Sequence, residues 1–222
     1  MKTIFLSLFI CILFLSCEKS SVSEGSAYSE AVYSVEFTGK WKAPEFGVPS
    51  GVHFTTILGM IHNSQTYQWK EGELASWGVE RIAESGNTGP MVIEIDSIVA
   101  LGKAISYVVI NAPTPTGSNK TNIYCNSNYP YISFETMLAP TPDWFTGINS
   151  FNLFHNNKWI TDTTVNLYSY DAGTETGDAF GYNNPETNLK ENVHKLTPTK
   201  ATVLANGNST LAPIASVRFI KK

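Results

Sequence analysis

Near residue 33 the chain alternates strictly. Tyr33, Val35 and Phe37 are apolar, while Ser34, Glu36 and Thr38 between them are polar. A period of two marks a half-buried strand, so residues 33–41 are expected to form one. Residues 54–61 are more continuously apolar and are expected as a more buried strand, with 65–69 as a short third. Further strands are expected at 91–95, 106–110, 121–125, 131–139, 149–155, 163–170, 201–204 and 214–220.

Residues 72–85 are the helix candidate. Leu74, Trp77 or Gly78, and Ile82 fall three to four apart, and Gly86 follows as a stop. The Pro and Gly of residues 112–119 mark a loop, and 181–196 should be mostly irregular. Many short strands divided by turn signals imply an antiparallel β-sandwich. There is no repeat of fixed period and no strand–helix alternation of the kind that builds a parallel sheet. The expected fold class is therefore all-β, a sandwich with one short helix packed on a sheet.

The first residues change the picture of where the domain works. Lys2 precedes an apolar run over residues 4–16, too short to span a membrane and of the right length for a secretory signal. Its end, Phe14-Leu15-Ser16-Cys17, resembles the bacterial lipobox, with Phe14 where leucine is usual. The resemblance implies removal of residues 1–16 and diacylglycerol on Cys17. Residues 17–29 are small and polar, a flexible tether, and 30–222 form the folded domain. The expected site is the bacterial cell envelope, lipid-anchored, on the outer membrane. Cys11 lies in the removed segment and Cys17 carries the lipid, so Cys125 is left alone and is expected to be a buried strand residue without a disulfide.

Charged residues are 15% of the chain, well below the usual quarter, and the net charge is −4. Lys and Arg are scattered, so a nucleic-acid partner has no electrostatic footprint. His53, His62, His155 and His194 lack zinc-site spacing and are expected to be structural. No Gly-x-Ser-x-Gly elbow is present. The five tryptophans are expected to pack rather than to bind ligand.

Two loops carry candidate chemistry: Pro140-Thr141-Pro142-Asp143-Trp144-Phe145-Thr146-Gly147 and Tyr170-Asp171-Ala172-Gly173-Thr174-Glu175-Thr176-Gly177. Each sets carboxylates in a tight turn. Such turns collect oxygen ligands for a hard cation such as calcium, or else the carboxylates cap backbone N–H groups. Asp178 follows the second loop and is expected to be solvated.

Together these phrases resemble the Pro-Ser-Pro-Asp-Trp-Phe-x-Gly and Asp-Ala-Gly-Thr-Asp-Ser-Gly signatures of the spondin N-terminal domain. Weaker matches fall in the same order: Phe37-Thr38-Gly39-Lys40-Trp41, His53, Gly59-Met60-Ile61-His62, Trp69, Gly72, Ala75-Ser76-Trp77-Gly78-Val79, Trp159 and Pro213-Ile214-Ala215-Ser216-Val217. The resemblance covers residues 33–222. It implies a C2-like sandwich with one Ca²⁺ held by Asp143, Asp171 and the residue at 175, which here is Glu175 in place of aspartate. It also implies an adhesion or recognition module without catalytic activity, with an extracellular or envelope protein or glycan as ligand. The alternatives are an envelope carbohydrate-active hydrolase, or a structural lipoprotein subunit of an envelope assembly.

Overall fold

The computed structural model describes residues 28–222. The expected signal segment, Cys17 with its expected lipid, and the part of the expected tether up to residue 27 lie outside the described residues. In chain order the elements are β1 (Glu30–Gly39), β2 (His53–Phe54), β3 (Ile57–His62), α1 (Trp77–Ser85), α2 (Gly89–Ala100), β4 (Ala104–Ile110), β5 (Ser118–Asn126) and β6 (Tyr131–Ala139). Then follow β7 (Trp144–Asn152), β8 (Phe154–His155), β9 (Lys158–Trp159), β10 (Asp162–Leu167), β11 (Ser169–Asp171), β12 (His194–Lys195), α3 (Thr202–Ala205) and β13 (Ala215–Lys221).

Two antiparallel sheets face each other. One has the order β10-β13-β1-β5; the other runs β12-β11-β7-β6-β3-β4, with β2 paired to β6. The alternation of β1 survives intact: Tyr33, Val35 and Phe37 are fully buried against the second sheet. Phe37 meets Phe54 and Phe134 edge-on, and Phe151 stacks on Phe219 across the sandwich. Cys125 is a buried free thiol on β5, as its setting among strand residues implied.

The second sheet is covered on both faces. All six residues of β3 are buried, and eight of the nine in β6. One face packs on the first sheet. The other holds a separate cluster in which Leu58, Met60 and Phe145 meet Val79 and Ile82 of α1 and Met91 and Ile95 of α2. The mostly apolar run of β3 is what a doubly covered sheet requires, whereas β6 also buries Ser133, Glu135 and Thr136.

Three expected strands are absent. Residues 91–95 lie within α2, which opens on Gly89-Pro90, a proline placement that suits a first helical turn. As a strand, Met91, Ile93 and Ile95 would share one face. Here Met91 and Ile95, four apart, are buried and Ile93 is exposed. Packing against α1 and the sheet outweighs the β-propensity of the segment. Residues 201–204 fall largely in the short α3, whose Leu204 and Ala205 are buried. Residues 65–69 are irregular; they lie over the outer face, and the Gln68 amide donates to the carbonyl of Leu58 at 3.1 Å.

The expected helix is shorter than its pattern. It is α1, started by Ser76, whose hydroxyl accepts from the Val79 N–H, and ended by Gly86 at φ 67. Its N-terminus has a second cap from another helix. Glu94 on α2 accepts from the Gly78 N–H at 2.7 Å and from the Ser76 hydroxyl at 2.7 Å. A carboxylate there satisfies otherwise orphaned donors and meets the positive end of the helix dipole. Hydrogen bonds to a charged group contribute about 2 kcal/mol. Glu94→Ala should therefore lower the urea unfolding midpoint by a corresponding amount, and Glu94→Gln should lower it less.

Candidate functional site

β6 ends at Ala139, the Ala139–Pro140 peptide is cis, and Asp143 stands immediately before β7. β11 pairs with β7 so that Asp171 lies opposite Trp144, and the Ala172 N–H donates to the Asp143 carbonyl at 3.1 Å. The two motifs therefore meet at one end of the second sheet.

Asp143 is fully buried. Its Oδ2 accepts from the Thr174 N–H at 2.6 Å, the Glu175 N–H at 3.0 Å and the Thr174 hydroxyl at 3.3 Å. One carboxylate on the first loop thus clasps the second. Its other oxygen, Oδ1, is buried without a hydrogen-bond partner. Asp171 turns its own loop, accepting from the Gly173 N–H at 2.8 Å. Gly173 sits at φ 74, and a Cβ there would lie 2.2 Å from the Glu191 carbonyl oxygen, so both conformation and space demand glycine.

Glu175 is half-buried on the same loop. Beyond it a cleft of about 460 Å³ is lined by Asp171, Glu175, Asp178, Glu191, His194 and Lys200. Asp178 is exposed, as expected. α1 adds a carboxylate that the sequence did not mark: Glu84, whose side chain is 9% exposed and forms an ion pair with Arg81 at 2.8 Å. It bears electrostatically on Asp143 and Glu175. A glutamate in the last turn of a surface helix carries no local signal of that role.

The electrostatics are those of a charge-crowded, poorly solvated corner. Burial first, and then the charge of Asp171, push Asp143 up to about 6 against the pull of the Glu175 and Thr174 N–H groups. Burial also raises Asp171, opposed by the Gly173 N–H, His194 and the Trp144 indole. Glu175 is pushed up to about 7, first by burial and then by Glu84. Glu84 itself is raised, again by burial first. Among the described residues, no three His, Cys, Asp or Glu side chains form a ready-made metal cage. What the corner offers a cation is a set of oxygen donors, with Asp143 Oδ1 already stripped of water and unengaged.

The histidines behave as expected. His53 donates to the Gly51 carbonyl, His155 to that of Asn152 and His194 to that of Asn192, while the buried His62 lies between Asn63 and Ser133. Four of the five tryptophans are buried or half-buried; Trp77 is 56% exposed.

The family model described as Spondin_N matches residues 31–207. The chain belongs to the spondin N-terminal family. Both carboxylate loops of this spondin domain fall inside the matched range, while Cys17 and β13 fall outside it. Spondin-2 of Homo sapiens is 31% identical over 213 residues, 88% of this chain and 63% of the relative. Spondin-1 of Gallus gallus is 28% identical over 199 residues, 82% of this chain and 25% of the relative. The chain therefore spans less than two thirds of the curated relatives it matches.

A carboxyl whose folded pKa exceeds its unfolded value binds more protons when folded, so stability falls as pH rises between the two values. For Asp143 that window runs from 3.8 to about 6. In chelator, the thermal midpoint of the spondin domain should rise as pH is lowered from neutrality through this window. Asp143→Asn, which cannot titrate, should show a smaller rise.

Proposed function

We propose that this spondin-family chain is a calcium-organised adhesion or recognition module, tethered by lipid at Cys17 to the bacterial cell envelope, which binds a surface protein or glycan and performs no catalysis. The observation that carries the calcium reading is Asp143 Oδ1, a buried carboxylate oxygen with no partner, at the junction of two acidic loops. Leaving such an oxygen dry and unpaired costs free energy that a bound cation would offset. Oxygen-only donors suit calcium, which accepts carboxylates in flexible geometry. Asp143, Asp171 and Glu175 would hold the ion, and the extra methylene of Glu175 still permits coordination. Calcium would neutralise the crowded carboxylates and order the two loops.

The recognition reading rests on family membership and on where the loops lie. The second loop opens at residues 175–177 onto the cleft at one end of the sandwich, the kind of location where binding residues are usually found, while residues 141–147 of the first loop are buried. The envelope reading rests on the N-terminal motif. Among the described residues no helix is long and apolar enough to cross a membrane.

Calcium titration of the metal-stripped full chain should raise its thermal midpoint by mass action. Asp143→Ala should abolish the rise. No shift at millimolar calcium in the wild type would end the calcium reading. Separately, intact mass of the protein extracted from membranes should show an acylated N-terminus at Cys17. Any other mature N-terminus would remove the anchor.

A further inference from the structure

The strands run between two ends of the sandwich. β6 leaves one end at Tyr131 and delivers the chain to the carboxylate corner beyond Ala139; β7 returns from Trp144 to Asn152. β1 starts at the end where β6 starts, because Ser29 holds the connection between β5 and β6. Its carbonyl accepts from the Ser127 N–H at 2.8 Å, and its hydroxyl accepts from the Trp159 indole at 2.9 Å. The nine residues of β6, at about 3.3 Å each, set the two ends about 30 Å apart.

The ends differ in charge. Asp171, Glu175, Asp178 and Glu191 line the cleft at the carboxylate end. The end where β1 starts gathers lysines that are distant in sequence. The Lys222 N–H donates to the Val32 carbonyl at 2.9 Å, and the Lys221 N–H to that of Thr161 at 2.8 Å. Lys158 stands on the β8–β9 hairpin, next to the Trp159 that reaches Ser29. All three lysines are exposed, and among the described residues none of their ammonium groups enters an ion pair. Of the acids nearby, Glu30 accepts from the Tyr28 hydroxyl at 2.8 Å and Asp162 is paired with Arg218 at 2.6 Å. Apolar surface lies beside the lysines. Tyr28 is 59% exposed, and Val32 and Tyr124, opposite each other on β1 and β5, are each 41% exposed. The Tyr28 and Tyr124 hydroxyls are 3.2 Å apart, so the two rings share one patch.

Unpaired lysines beside exposed tyrosines fit the headgroup layer of an anionic membrane. The ammonium groups are drawn to its negative surface, and a tyrosine ring with one apolar and one wet end suits that depth. The position of the proposed anchor favours the same partner. Cys17 precedes Tyr28 by eleven residues, a stretch that can span at most about 40 Å. On the lipid-anchor reading, on which this inference rests, the lysine end is the part of the domain held next to the bilayer. We propose that the patch formed by Tyr28, Val32, Tyr124, Lys158, Lys221 and Lys222 docks on anionic phospholipid headgroups and turns the carboxylate corner away from the membrane.

The test uses the full chain extracted from membranes and reconstituted into vesicles, either of phosphatidylcholine alone or of an equal mixture with phosphatidylglycerol. Brief acetylation followed by mass spectrometry reads the reactivity of each lysine. Each lysine near an anionic surface contributes about fivefold in affinity. In the mixed vesicles Lys158, Lys221 and Lys222 should therefore react about tenfold more slowly than in phosphatidylcholine alone. Lys42, which is exposed beyond the far end of β1, and Lys200, in the carboxylate cleft, should keep their rates. Molar salt should remove the difference by screening. Lys221→Gln combined with Lys222→Gln should weaken docking about 25-fold and return Lys158 almost to its rate on phosphatidylcholine, with the thermal midpoint unchanged. Unaltered rates in the mixed vesicles, equal slowing of Lys42 and Lys200, or full slowing of Lys158 in the double variant would each overturn the proposal. Intact mass of the same sample separates this from the anchor reading. An acylated Cys17 with unprotected lysines removes the docking surface and keeps the anchor; protected lysines without an acyl group remove the anchor and keep the surface.

Discussion

Everything in this molecule depends on burying the second sheet from both sides. A sandwich needs only one covered face per sheet. Here β3 and β6 have almost no exposed residue, so the outer face requires a roof, and α1 and α2 supply it. The roof must then satisfy its own helix ends over an apolar floor. Glu94 meets that demand by crossing from one helix to cap the other. The same burial traps Glu135 in a place where its charge is costly. Capping and the two separate cores both follow from one covered sheet.

The carboxylate corner lies where this roofed sheet reaches its loop end. Strand pairing between β7 and β11 brings the two motifs to one edge, and the single carboxylate of Asp143 fixes their relation. Crowding acids at the boundary between core and solvent raises their proton affinity through burial and mutual repulsion. A corner of this kind holds its charge poorly unless something positive shares it.

Much of the sandwich was legible in the sequence because half-buried strands advertise themselves by alternation. β1 and β13 show it, and β6 lies between the strand-ending Pro130 and Pro140. The failures have a common cause. Val92, Ile93 and Ile95 give residues 91–95 a strand-like β-branched character, and only the neighbouring helix and sheet decide that they coil so that Met91 and Ile95 face inward. α3 is a single short turn, below the length at which periodicity separates helix from strand. Asp143, Asp171 and Glu175 were marked by motif and turn chemistry. Glu84 and Glu135 were not, because nothing local distinguishes a glutamate that tertiary packing will bury from one that stays in water.

Trp144 and Phe145 are adjacent on β7, and their rings belong to different cores: Trp144 lies between the sheets, Phe145 under the helices beside Trp69. Asp143 is the very next residue. A single peptide unit is therefore pinned by both hydrophobic compartments, with the loop clasp fastened to its end. With both rings fully buried, the stiffness of the clasp is inherited from the interior on both sides of the sheet at once.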